Sequence, residues 1–369
     1  MSLGGAPAPV LSQIAGRFQI DGTFISAAPF GSGHIHDTYA AVCELSGAPV
    51  RSILQRINRR IFQNPVALME NIQRVTRHIS AQLADAPDRE RRGLVLIPAR
   101  DGKAWHVDED GEFWRGYRFI ENAHTCDTVS TIRQAYEAAK AFGHFQRLVA
   151  TLPPSELHVT LPGFHNTPQR WRALEQAIAA DPAGRVRQAA PEIAFAMSRE
   201  PMTGILLEAG LPERVTHNDT KINNVMFDNA TGEGLCVIDL DTVMPGLALY
   251  DFGDMVRTTT CEAAEDETDL SQVAMRFPMF EALLRGYLDS AGNLLTAAER
   301  ELLAFSGRLI TFEQGIRFLT DYLAGDTYYK IHRPDHNLDR CRTQFRLLAS
   351  MESQQVQMER LAKSLTKNA

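Results

Sequence analysis

Thr216-His217-Asn218-Asp219-Thr220-Lys221-Ile222-Asn223-Asn224-Val225-Met226-Phe227, followed by Leu235-Cys236-Val237-Ile238-Asp239-Leu240-Asp241, decides how this chain reads. Two apolar runs, 225–227 and 235–238, flank Asp228-Asn229-Ala230-Thr231-Gly232-Glu233-Gly234, whose turn-forming residues predict a β-hairpin. Asn224 precedes the first strand and Asp239 follows the second. Antiparallel strands lie about 5 Å apart, so these two side chains meet at the open end of the hairpin. An amide oxygen and a carboxylate so placed suit a hard cation such as Mg²⁺, which keeps several waters and takes further ligands from phosphate oxygens. Asp219 sits in the loop just upstream, where it can face a hydroxyl group, and Lys221 follows it as a point charge within reach of a γ-phosphate. Phosphoryl transfer needs this set: two anionic reactants held in line and the charge on the transferring group neutralised.

Working outward, 369 residues suit two lobes, with 44% hydrophobic and 22% charged residues as in ordinary globular proteins. A net charge of −7 argues against nucleic acid or an anionic membrane as partner. The basic run Arg89-Glu90-Arg91-Arg92 reads as a solvated turn. Five cysteines without a Cys-x-x-Cys pair suit reduced thiols and a cytoplasmic protein. No apolar run is long enough for a membrane span, and the N-terminus lacks a signal-peptide pattern. Met1 to Gly5 is set aside as a tag remnant.

Strands are expected at 23–29, 38–45, 52–58, 94–97, 105–107 and 113–120, with turns at Gly31-Ser32-Gly33, Gly47-Ala48-Pro49 and the Asp-Gly pairs 101–102 and 110–111. Asn64-Pro65 opens a helix carrying Val66, Met69, Ile72, Val75 and Ile79 at helical spacing. From Ser130 the chain turns helical, with amphipathic segments at 135–148, 168–178 and beyond 270, interrupted by the one hairpin. The expected class is α+β: a small antiparallel sheet lobe over 18–121, a linker over 122–129 and a larger, mostly helical lobe over 130–369.

The spacing His-x-Asp-x-x-x-x-Asn at 217–224 resembles the catalytic loop of protein kinases and, more closely, of aminoglycoside-phosphotransferase-like kinases. The likeness runs from about Phe30 to Lys330 and implies a bilobal protein-kinase-like fold using ATP and Mg²⁺. It makes His217 structural, Asp219 the base, Asn224 and Asp239 metal ligands, and Asp241 an additional ligand or a buttress. Asp251-Phe252-Gly253 spells the metal-binding triplet of protein kinases but lies too far beyond the hairpin. It resembles instead the family's later aspartate motif, with Asp251 supporting the loop. Gly31, Ser32 and Gly33 would cover the phosphates. The lysine usual on the third strand is missing. Gln55 and Arg56 alternate across the sheet there, and Arg56 is the expected phosphate contact, with Glu70 as its partner.

Within that family the closest resemblance is to N-acetylhexosamine 1-kinases. It is carried by Ser32-Gly33-His34-Ile35-His36-Asp37-Thr38, Leu54-Gln55-Arg56-Ile57-Asn58, Leu68-Met69-Glu70-Asn71-Ile72, Gly315-Ile316-Arg317-Phe318-Leu319-Thr320-Asp321-Tyr322-Leu323 and Gly325-Asp326-Thr327-Tyr328-Tyr329-Lys330. His36 departs from the asparagine expected there. The resemblance implies a sugar site made by His34, Arg317 and Tyr328. Choline, homoserine or aminoglycoside kinases are the enzymatic alternative, for which the acidic run Glu262 to Asp269 would serve a cation if it is not a solvated loop. A catalytically inactive kinase fold acting as a binding module is the alternative of another class.

Overall fold

Ser46 and Gly47, at φ 54° and 83°, form a two-residue turn whose twist matches that of the strands it joins. The turn expected at 47–49 is therefore tighter: Ala48 already pairs with Leu45, and Pro49 lies opposite Glu44. The computed structural model describes residues 8–31, 33 and 35–366. Its first part runs α1 (Ala8–Ala15), β1 (Thr23–Pro29), β2 (Asp37–Leu45), β3 (Ala48–Arg56), α2 (Pro65–Gln82), α3 (Arg89–Arg92), β4 (Leu96–Ile97), β5 (His106–Val107) and β6 (Phe113–Arg118). The strands form an antiparallel sheet in the order β1-β2-β3-β6-β4, with β5 also on β6.

Alternation along these strands sorts their side chains. Tyr39, Leu54 and Trp114 share one face and pack with Leu11, Ile14 and Phe18 from the α1 side. The small lobe thus recruits residues before 18. Ile57 and Tyr117 share the other face and join the main core, which includes Leu68, Met69, Ile72 and Val75 of α2. α2 begins as its sequence implies, with Asn64 capping the amide of Ala67 and Pro65 at its start.

The expected linker does more than connect. β7 (Ala123–His124) pairs with β9 (Val225–Asp228), which pairs with β10 (Gly234–Val237), so the hairpin supplies two strands of a three-stranded sheet with β9 at its centre. Between β7 and β9 lie α4 (Ile132–Leu148), α5 (Thr167–Ala180), α6 (Ala190–Met197), α7 (Ile205–Glu208) and β8 (Arg214–Thr216). After β10 come β11 (Met244–Gly246), α8 (Ala248–Thr259), α9 (Phe277–Ala291), α10 (Ala297–Leu323), α11 (His336–Ser353) and α12 (Gln355–Thr366). The β8–β11 ladder, pairing Thr216 with Met244, is too short and proline-containing to show as alternation in sequence.

Two charged runs read as solvated are tied down. Arg91 donates to the carbonyls of Glu121 and Asn122 and pairs with Asp228 at 2.7 Å, clamping the small lobe to the linker strand. In the acidic run, Glu262 pairs with Arg276, and Asp266 accepts from His336 at 3.0 Å. All five cysteines are free thiols. Among the described residues no helix is long and apolar enough to cross a membrane.

Candidate active site

The loop between β8 and β9 is buried without regular structure, so its amides need partners from elsewhere. α8 supplies them. Asp251, 1% exposed, accepts from the amides of His217 (2.9 Å) and Asn218 (2.7 Å), and from Gln146 of α4 (2.8 Å). One turn later Asp254 accepts from the amide of Thr220 at 2.9 Å. Asn218 adopts the left-handed conformation (φ 65°), fixed by its donation to the Thr242 carbonyl at 2.9 Å. His217 is fully buried between Phe142 and Phe145; its Nε2 donates to the Ile238 carbonyl (3.0 Å) and its Nδ1 accepts from the Asp219 amide (3.3 Å). Asp251-Phe252-Gly253 lies inside α8 and faces the loop from behind.

At the hairpin's open end the amide of Ile238 donates to the Asn224 carbonyl at 2.9 Å, extending the ladder by one rung and setting Asn224 beside Asp239. Asn224 Nδ2 donates to the Asp219 carbonyl (2.8 Å) and reaches its Oδ2 (3.3 Å), which leaves Oδ1 as the atom for a cation. Asp239 stands at φ 60°, ψ 60°, a strained geometry for a non-glycine residue and frequent at functional sites. Burial works against the Asp219 carboxylate, yet the Lys221 ammonium 2.9 Å away, with His217 and Arg257 beyond it, holds its pKa below the ordinary value. Asp239 goes the other way. Burial, then Asp241 and Asp219, push its pKa well above the usual carboxylate range. This concentration of hard oxygens and negative charge fits a divalent cation held by Asn224 and Asp239.

Asp241 is differently engaged. Arg115 of β6, 1% exposed, closes a two-pronged pair on it, Nη1 to Oδ1 at 2.6 Å and Nη2 to Oδ2 at 2.7 Å. Arg115 Nε donates to Gln55 Oε1 at 2.9 Å, and Gln55 Nε2 donates to Thr38 Oγ1 at 2.9 Å. Both Asp241 oxygens accept from Arg115, which suits the buttress, one of the two roles expected above; the carboxylate also lies within 4.8 Å of the ligand atom of Asp239. His36 Nε2 lies 3.3 Å from Asp241 Oδ2 without the alignment of a hydrogen bond. Its Nδ1 accepts from the Asn58 amide at 3.1 Å, so the ring proton sits on Nε2 and His36 is a donor, not a metal ligand.

On the nucleotide side the structure corrects two expectations. Arg56 shares its face with Asp37 and Trp114 and pairs with Asp37 at 2.6 Å, turned away from the hairpin; it is Gln55 that faces inward. Glu70 points off the outer side of α2 and pairs with His158 (2.6 Å) and Arg74 (3.4 Å), not with Arg56. Gly31, at φ 82°, and Gly33 are exposed at the end of β1, near where Phe30 meets Phe119 edge-on. Ser32 and His34 lie outside the described residues.

On the acceptor side, Arg317 of α10 lies over the rings of Phe164 (5.3 Å) and Tyr329 (6.0 Å) and donates to Gln314 at 3.1 Å. One turn earlier Glu313 pairs with His165 Nδ1 (2.8 Å), whose Nε2 reaches the Asn218 carbonyl (3.1 Å), so α10 is tied to the catalytic loop. Tyr328, expected in the site, is 72% exposed. Asp321 accepts the amides of Thr327, Tyr328 and Tyr329, and this turn brings Tyr329 to Arg317 instead. Sequence reading missed Asp254, Arg115, His165 and Tyr329, and named Gln55 only as the alternative to Arg56. Asp254 was signalled by its one-turn spacing from Asp251, and Arg115 by a charge set between Trp114 and Tyr117 in an inner strand.

Comparison with known proteins agrees with this architecture. The profile of the phosphotransferase enzyme family matches residues 26–287. A microcompartment-associated aminopropanol kinase superposes with a TM-score of 0.62 at 17% identity, over 95% of this chain and 98% of that one. An aminoglycoside phosphotransferase from Alicyclobacillus acidocaldarius gives 0.60 at 12% identity, over 100% and 99%. A spectinomycin phosphotransferase solved with ADP and spectinomycin gives 0.53 at 14% identity, over 98% of both. At such identities the superpositions speak for the fold, and the family match spans most of the sheet, the whole catalytic loop and α8: the chain belongs to the phosphotransferase enzyme family, whose members transfer phosphate to hydroxyl groups of small molecules.

Proposed function

We propose that this small-molecule phosphotransferase is a cytoplasmic, Mg²⁺-dependent kinase that moves the γ-phosphate of ATP to the anomeric hydroxyl of N-acetylglucosamine or N-acetylgalactosamine. Asp219 orients the hydroxyl and takes its proton late in the reaction, which suits a carboxylate kept ionised by Lys221. Asn224 and Asp239 would hold Mg²⁺, which neutralises charge on the phosphates when bound. Asp251 and Asp254 keep the loop rigid so that Asp219 does not wander.

The acceptor assignment rests on one observation. The charged group set among aromatic rings beside the loop is a cation, Arg317, while the nearby carboxylates are already matched: Asp254 and Glu265 with Arg257, Glu313 with His165. A cationic acceptor would want an unmatched carboxylate. A neutral sugar with an N-acetyl carbonyl wants donors and an aromatic face. The sequence motifs around Arg317 point the same way.

The test is Mg²⁺/ATP turnover on N-acetylglucosamine, N-acetylgalactosamine, glucose, galactose, choline, homoserine and kanamycin, with phosphorus NMR of the product. An anomeric phosphate from an N-acetylhexosamine, lost in Asp219→Asn, is the expected result. Turnover confined to choline, homoserine or kanamycin would overturn the sugar assignment. ATP binding with no turnover of any acceptor would favour an inactive binding module.

A further inference from the structure

Transfer from ATP requires a fixed cation over the phosphates, and in protein kinases this is a third-strand lysine held by a helix glutamate. Neither member of that pair is in place here. The inward residue of β3 is Gln55, Arg56 faces Asp37, and Glu70 faces His158. We infer that Arg115 is the phosphate-binding cation of the nucleotide site, displaced by one strand from β3 to β6, with Asp241 as its carboxylate partner and Gln55 as the residue that aims it. This inference deepens the kinase reading above and rests on its nucleotide half only.

Register supplies the first argument. Thr38, Gln55 and Arg115 are consecutive cross-strand partners on one face, so Arg115 projects from the row where a third-strand lysine would stand. Burial supplies the second. The guanidinium is 1% exposed, and a buried arginine persists only where its charge is matched. Asp241 matches the charge, Gln55 takes the Nε proton, and Nη1 and Nη2 each keep one further hydrogen. Position supplies the third. Asp241 and Asp239 present oxygens within 4.8 Å of each other and of His36 Nε2, so the guanidinium abuts the place where metal-bound phosphate oxygens would sit. A planar fork that grips a carboxylate on one edge can bond phosphate oxygen on another. His36, buried with its Nε2 proton unspent, adds a second donor directed at the same place.

An ion pair that only joined the lobes would affect folding without distinguishing phosphorylated from unphosphorylated ligands, and this difference is what the experiment reads. Binding of ADP with Mg²⁺ and of adenosine is measured by calorimetry on the wild type, Arg115→Met, Arg115→Lys and the double variant Gln55→Lys/Arg115→Met. Arg115→Met is expected to weaken ADP by about tenfold or more and to leave adenosine unchanged. A lysine at 55 reaches into the same space from the neighbouring strand, so the double variant should recover most of the ADP affinity. Should Arg115→Met fail to fold, Arg115→Lys carries the test, with ADP weakened selectively and adenosine not. Equal loss of both ligands, or no loss of ADP, overturns the inference and leaves the kinase assignment standing. A wild-type protein that binds neither ligand overturns both.

Discussion

Asp219 keeps its charge because Lys221 lies against it, and it keeps its place because Asp251 and Asp254 hold the amides on either side. On the role proposed for Asp219, Asp219→Asn should lower kcat by about 10²–10⁴ with ADP affinity unchanged, since a general base contributes on that scale; steady-state kinetics and calorimetry check this. Asp251→Asn replaces an acceptor of three N–H groups by a side chain with one acceptor atom. It should cost at least about 2 kcal/mol in urea unfolding, because the site is fully buried. His144 answers to pH. Burial, then Arg147, Arg92 and Lys140, bring its pKa down to about 4, and its Nδ1 accepts from Arg147 at 2.7 Å, as only the neutral ring can. Below its unfolded value near 6.5 the unfolded chain takes up a proton that the folded protein refuses. The stability linked to His144 is therefore complete above about pH 6.5 and lost progressively as pH falls towards 4. His144→Gln should flatten the fall in Tm between about pH 7 and pH 5 relative to the wild type.

Among elements, α4 and α9 bring their backbones close together, and glycine is the reason. A Cβ at Gly286 would lie 2.1 Å from the Tyr136 carbonyl oxygen, and one at Gly143 would lie 2.8 Å from that of Tyr287. Backbone blocks both, so relief requires the helices to part. Gly286→Ala should destabilise by about 1–3 kcal/mol in urea unfolding. It should also loosen the catalytic loop, because α4 carries Gln146 to Asp251. The hairpin β9–β10 was legible because its apolar runs, turn-rich connection and flanking polar residues all say the same thing. β8 and β11 were not, because three-residue strands carry no periodicity and their pairing is settled only by the loop that joins them to the hairpin.

Over the whole molecule, Arg91 joins the lobes at the point where the linker becomes a strand. Arg91→Ala should lower Tm and speed amide exchange at residues 121–124 and around Asp228, read by hydrogen exchange with mass spectrometry; unchanged exchange there would mean the clamp is ornamental. The sequence by itself determined the two-lobe layout, the hairpin, and the meeting of Asp219, Asn224 and Asp239, since these residues lie close together along the chain and local rules govern them. It left the partners of Arg56, Glu70, Asp241 and Tyr328 open or misplaced. Those depend on which face of a strand or helix looks into the cleft and on what arrives there from far away in the chain, as Arg115 does at Asp241 across 126 positions. A long side chain forms its ion pair with whichever opposite charge the packed core brings within reach, and only the tertiary structure decides which one that is.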